Sequence, residues 1–325
     1  SRRRTRQDDG ESVQRRLQAL NRISTVNGMH NFFKTSIIAL ALAALTSGCA
    51  TTSAHVMDAT PQSTRRHEVR GNFPYKGERL TFDARHVATK ASLADAFVQV
   101  GYENKMDDGT RYIPIVANAT SQSIVRLFAK LDDRAEVYID PDTWESIYSY
   151  KHLNENDRDR EYSVWFWNDE NLASVERTSK GHTVKRDYTV PVGTMDSMAW
   201  VYWVRSLDLD VGKTYSWFSF DGWTINKIDL KVVAVEDVWT PIGFFKSKKF
   251  EIWRERSQPI TPHGALSGAF IDPARKVEVK SYHLASAWIG VDERRTPVRL
   301  VVSTGIGEFD LLLKNVEDNV AWTGE

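Results

Sequence analysis

The chain has one cysteine, Cys49, in 325 residues. An internal disulfide and a cysteine-based metal site are therefore both excluded. Seven histidines follow it, at 55, 67, 86, 152, 182, 263 and 283, and no two have a metal-ligand spacing. No glycine-rich phosphate loop, nucleophile elbow or HExxH segment is present. No catalytic residue, metal site or cofactor is assigned on these grounds. The charge is balanced at 43 basic and 43 acidic residues, and the part after Cys49 carries a net −5. Nucleic acid selects basic surfaces, so it is not an expected partner. Long apolar runs are also missing. Thr35–Leu45, about 11 residues, is too short for a permanent membrane span and suits the apolar core of an export signal.

Such a signal is what surrounds it. Met29-His30-Asn31-Phe32-Phe33-Lys34 is a short basic start, and Leu45-Thr46-Ser47-Gly48-Cys49 places small residues before the cysteine. This resembles the bacterial lipobox. The resemblance implies cleavage before Cys49 and acylation at Cys49, where two or more chains hold a protein on a membrane. Ala50, where aspartate would mark inner-membrane retention, points to the outer membrane, with the domain on its periplasmic face. Residues 1–28 read as an upstream extension outside the fold, 29–48 as the signal peptide and 49–72 as a flexible tether, poor in apolar residues and without period. Residues 73–325 are expected to fold.

That part alternates with period two, the strand signal. Strands are expected at 78–85, 94–100, 111–115, 122–130 and 136–140, then on a segment in which Trp144, Ser146, Tyr148 and Tyr150 share one face. After a charged hairpin loop at 154–160 come 162–167, 183–188, 215–220, 228–235, 244–253, 281–291, 297–302 and 309–313. Residues 257–274, with three prolines and two glycines, read as a long loop. Asp292-Glu293 beside Arg294-Arg295 reads as a charged turn and not as a catalytic carboxylate pair. The expectation is an all-β, mainly antiparallel domain: a strongly curved sheet, as a sandwich or an open barrel, with one short apolar helix packed against it.

The helix is where period two fails, at Thr194–Arg205. Thr194 or Asp196 is placed to cap it. Met195, Met198, Ala199 and Tyr202 form one stripe, but Trp200, Val201, Trp203 and Val204 make it apolar all round, and such a helix is buried. Asp196 and Arg205 lie about 13 Å apart along it. They cannot pair, so each is expected to satisfy strand ends or strand charges inside the curved sheet. All eleven tryptophans follow Cys49. Trp165, Trp167, Met198, Trp200, Trp203 and Trp217 are the candidates for a core or a ligand-binding surface.

Trp239-Thr240-Pro241-Ile242-Gly243-Phe244-Phe245-Lys246, followed by Ala287–Leu300, resembles the exported bacterial family called domain of unknown function 3108. The family shows a "tPlGxF" turn and a later "iWxsxDxrrxPvrl" strand-turn-strand. Asp196–Arg205 is similar to its "DxlSxxYxlR" stretch, with departures at Met198 and Trp203, and Glu78–Val100 fits its first hairpin. The resemblance spans about residues 73–316, with 257–274 as an insertion. It implies an exported β domain and leaves the chemistry open. Three functions are weighed. The lead is a non-enzymatic lipoprotein binding an apolar envelope component, such as a lipid or acyl chain, or an envelope protein partner. The second is an adaptor without a ligand cavity in an envelope or polysaccharide-export assembly. The third is a glycan-acting enzyme, against which the missing carboxylate signature counts.

Overall fold

Alternating residues build one curved antiparallel sheet whose concave face holds a helix. The computed structural model describes residues 73–126, 130–155, 158–257, 281–304 and 307–322. Cys49, the expected signal peptide and tether and most of the expected 257–274 loop lie outside the described residues.

The first strands are β1 (Arg79–His86), β2 (Ser92–Val100), β3 (Asn104–Lys105) and β4 (Arg111–Ser121). One helical turn, α1 (Ser123–Arg126), leads to β5 (Leu131–Ile139), β6 (Ser146–Glu155), β7 (Arg158–Trp167), β8 (Leu172–Ser179) and β9 (His182–Thr189). Then come α2 (Ser197–Val204), β10 (Thr214–Phe220), β11 (Ile225–Thr240), β12 (Gly243–Ser257), β13 (Tyr282–Gly290), β14 (Pro297–Thr304) and β15 (Gly307–Glu317).

Strands β10 to β15 run side by side, β15 pairs with β1, and β1, β2 and β4 to β9 complete the sheet, with β3 on β4. The beginning and the end of the fold thus meet in the middle of the sheet. The two edges, β9 and β10, are neighbours in sequence, with α2 between them. They form no ladder among the described residues, so the sheet is an unclosed, barrel-like curl. Side chains bridge the gap: Tyr188 of β9 meets Phe220 of β10 at 5.8 Å between ring centres, in a cluster with Val164, Phe166, Val175 and Ile225. The β10 edge is further covered by Met195, whose amide donates to Phe218 and whose carbonyl accepts from Phe220. An exposed edge is a template for aggregation, and Met195 blocks the end of this one nearest Phe220.

Three expectations need correction. Residues 122–130 were expected as a strand, but α1 stands there. Thr120 of β4 is in register with Asp132 of β5, so the chain must reverse between them. Trp144 does not share a strand face with Tyr148 and Tyr150. It sits before β6 with φ of 61°, and its ring packs 4.9 Å from Phe73 in the core. A bulge opposite Tyr138/Ile139 shifts the alternation, so Ser149 and Lys151 point inward instead. The loop expected at 154–160 is also shorter: pairing continues to Glu155 opposite Arg158, because polar residues there extend the ladder beyond the core. By contrast, Lys180-Gly181, with φ of 52° and 76°, makes the two-residue turn between β8 and β9 that matches strand twist.

Candidate functional site

The site is organised by α2, which is buried because no face of it is polar. Its two ends carry the charges. Asp196 is the N-cap: its Oδ1 accepts from the Met198 amide at 2.9 Å, its Oδ2 from Lys151 Nζ at 2.8 Å, and its own amide donates to Ser146 Oγ at 2.8 Å. At the other end, Arg205 donates from both terminal nitrogens to the carboxylate of Glu78, at 2.6 and 2.8 Å, and to the Arg294 carbonyl at 2.9 Å. Its guanidinium stacks 3.6 Å from the centre of the Tyr75 ring. Burial disfavours the charge on Arg205, but the hydrogen bonds and charge of Glu78 outweigh it and raise its pKa. Burial, with the nearby Glu78 charge, pushes the Tyr202 hydroxyl well above its ordinary value. Asp196 and Arg205 therefore do not meet; each is paired with a strand-side partner from the sheet.

The tryptophans divide into two groups. Trp200 and Trp203 of α2 pack on Trp217 of β10 at 5.1 and 5.3 Å between ring centres, all three buried. The indole nitrogens of Trp200 and Trp217 are buried without a hydrogen-bond partner among the described residues. Trp165 and Trp167 are exposed on the opposite, outward face of β7 and belong to neither the core nor this group. Trp165 ends a row of rings across four strands: Tyr112–Tyr138 at 4.4 Å, Tyr138–Tyr148 at 5.3 Å and Tyr148–Trp165 at 4.6 Å.

Between α2 and the sheet lies a cavity of about 190 Å³. Met198, Trp200, Val201 and Val204 line it from the helix; Phe82, Phe250, Leu284, Leu300 and Val302 line it from the strands. Four alanines, Ala96, Ala117, Ala285 and Ala287, leave the room. Ser197 and Arg299 are the wall residues with polar side chains. Such a wall can hold hydrocarbon and has little with which to bind a charged or sugar-like molecule. Of the sequence candidates, the cavity gathers Met198 and Trp200; Trp203 and Trp217 stand behind it as support. Phe82 and Phe250 were not singled out, because an alternating Phe gives no sign of which face is hollow. Among the described residues no group of three His, Cys, Asp or Glu could hold a metal ion.

No curated protein matches the chain. Among solved structures, it is similar to a beta-barrel-like protein of domain of unknown function DUF1849 from Brucella abortus. The two are 8% identical with a TM-score of 0.43, over 74% of this chain and 97% of that one. It is also similar to a candidate exported protein with a YmcC-like fold from Bacteroides fragilis, at 10% identity and TM-score 0.27, over 75% and 96% of the two chains. A candidate lipoprotein from Parabacteroides distasonis gives 12% and 0.27, over 76% and 98%. The family described as protein of unknown function DUF3108 matches residues 79–314, spanning both sheet edges, α2 and the cavity wall, and the chain belongs to it.

Proposed function

We propose that this is a lipid-anchored protein of the outer membrane whose periplasmic β domain holds an acyl chain in the cavity between α2 and the sheet. The cavity itself carries the reading. Its wall is almost wholly apolar, so water inside it finds few hydrogen-bond partners. Apolar cavities of about 150 Å³ stay dry and take up benzene. Each methylene of an acyl chain placed here would contribute about 0.8 kcal/mol. The one hydroxyl of the wall, Ser197, donates to Asp196 at 3.4 Å, but that carboxylate is engaged by Lys151 and the Met198 amide as the helix cap, so the reading is of a binding protein.

Native mass spectrometry of the gently purified protein is expected to show a bound lipid. Replacing Ala96 and Ala285 together by leucine fills the cavity; it should abolish that adduct while leaving the fold and its circular dichroism intact. A wild-type spectrum holding only the bare protein mass overturns the acyl reading. The anchor is tested separately. The mature protein should begin at Cys49 and carry acyl groups there, and an unmodified Cys49 in membrane-extracted protein would exclude it.

The adaptor function is favoured by a different observation, the outward ring row ending at Trp165. Those rings lie against one another at 4.4 to 5.3 Å, so much of their area is already covered within the sheet. A wild type without lipid whose Trp165→Ala variant loses an envelope partner would move the reading there.

A further inference from the structure

A second cavity, of about 250 Å³, lies away from α2 where the end of β11 crosses β1, β14 and β15. Its wall is half polar and carries both signs of charge, through Arg85, Lys90, Arg299, Glu236, Asp237 and Asp310. Most of these are spoken for. Arg85 pairs with Asp83 at 2.6 Å, Arg299 with Asp310 at 2.8 Å, and Glu236 accepts from the Trp288 indole at 2.6 Å. Lys90 and Asp237 are exposed and have no ion-pair partner among the described residues. The cavity therefore presents one available cation and one available anion.

Its rim is Trp239, with the Arg85 guanidinium 5.8 Å from the ring centre. Trp239 opens the β11–β12 hairpin, whose loop is Pro241-Ile242 between the paired Thr240 and Gly243. Trp239, Ile242 and Phe244 are 49, 45 and 75% exposed. Trp239 and Phe244 are directly paired, so they stand on one face. Several of the loop's polar groups are closed within it: Thr240 Oγ1 donates to the Gly243 carbonyl at 2.9 Å and accepts from the Ile242 amide at 3.3 Å, and Pro241 has no amide hydrogen. Backbone can leave water only when its polar groups are satisfied internally. Tryptophan favours the membrane–water interface.

We infer that this hairpin tip and the cavity behind it form a docking site for a phospholipid bilayer with zwitterionic headgroups. Ile242 and Phe244 enter the acyl region, and Trp239 lies at the interface. The cavity takes a headgroup, with Lys90 on the phosphate and Asp237 on the ammonium. Asp237 lies in register with Lys246, so the tip has no excess of positive charge and net attraction to anionic lipid is not the driving force. This site shares no helix residue with the acyl cavity, and the inference does not rest on that reading.

The test uses the full chain. Cys49→Ser removes the only cysteine, and Ile242→Cys then gives a single thiol for a polarity-sensitive fluorophore. With phosphatidylethanolamine–phosphatidylcholine vesicles in high salt, emission should rise several-fold and shift to the blue. The same label at Val184→Cys, on exposed β9, should not respond, which separates the tip from any insertion of the N-terminal apolar segment. Lys90→Glu should weaken partitioning of the Ile242-labelled protein about ten-fold, with unchanged circular dichroism. No emission change at 242 on any vesicle overturns the site. So does binding confined to phosphatidylglycerol vesicles and lost in high salt. A response that Lys90→Glu leaves intact overturns the headgroup assignment.

Discussion

Replacing Arg205 by alanine is expected to destabilise the domain by about 3–5 kcal/mol, because it leaves a buried charge without its partner. Arg205 and Glu78 are each 1% exposed, so water cannot solvate the carboxylate once the guanidinium is gone. The loss extends beyond the pair. The same guanidinium binds the Arg294 carbonyl and covers Tyr75. One side chain thus ties the end of α2 to the start of β1 and to the β13–β14 turn. Against a total stability of about 5–15 kcal/mol, that is a large fraction of the whole. Arg205→Lys should recover little, since lysine cannot make the two parallel bonds. The double variant Glu78→Ala/Arg205→Ala should cost less than the sum of the singles, since neither charge is then stranded. Urea denaturation of wild type, the three single variants Arg205→Ala, Arg205→Lys and Glu78→Ala, and the double variant measures this. A single-variant loss below about 1 kcal/mol would show that the pair does not hold the helix end.

Neither partner of α2's terminal charges was legible in the sequence, although the helix was. Thr194–Arg205 stood out because period two fails there, and Asp196 had the side chain of a cap. Glu78 lies 127 residues from Arg205 and Lys151 lies 45 from Asp196, and no local pattern links such positions. The strands were legible for the same local reason, by alternation. The choice between sandwich and barrel depended on β15 meeting β1, a contact between the two ends of the domain that no local pattern encodes. Alternation also cannot say which of its two faces is concave. Trp165 and Trp217 therefore read alike, although one lies outside and the other in the core. The cavity was hidden for a further reason. Ala96, Ala117, Ala285 and Ala287 come from three strands, and an alanine in a strand looks neutral until four of them face one helix.

That difference between outward and inward tryptophans sets the second large effect. Trp217→Ala should cost about 3–5 kcal/mol, the usual range for a deleted core indole. For a domain of this size that lowers Tm by roughly 6–20 °C. Trp217 is fully buried, sits on the edge strand β10, and supports both Trp200 and Trp203, so its loss loosens α2 and the seam together. Trp217→Phe should cost much less. It keeps a ring in place and removes an indole nitrogen that has no partner among the described residues, and a stranded buried donor is itself a penalty of about 1–3 kcal/mol. Trp203→Ala should resemble Trp217→Ala and leave any bound lipid in proportion to folded protein. Trp200→Ala should differ, because Trp200 is both core and cavity wall: it lowers Tm and also enlarges the cavity, so lipid per folded molecule changes. Trp167→Ala, on the exposed face, should stay within about 0.5 kcal/mol of wild type. Thermal melts read beside native mass spectra separate these outcomes. If Trp203→Ala and Trp200→Ala both melt like wild type while the lipid disappears, α2 is a binding element laid on the sheet and not the plug around which the sheet is packed.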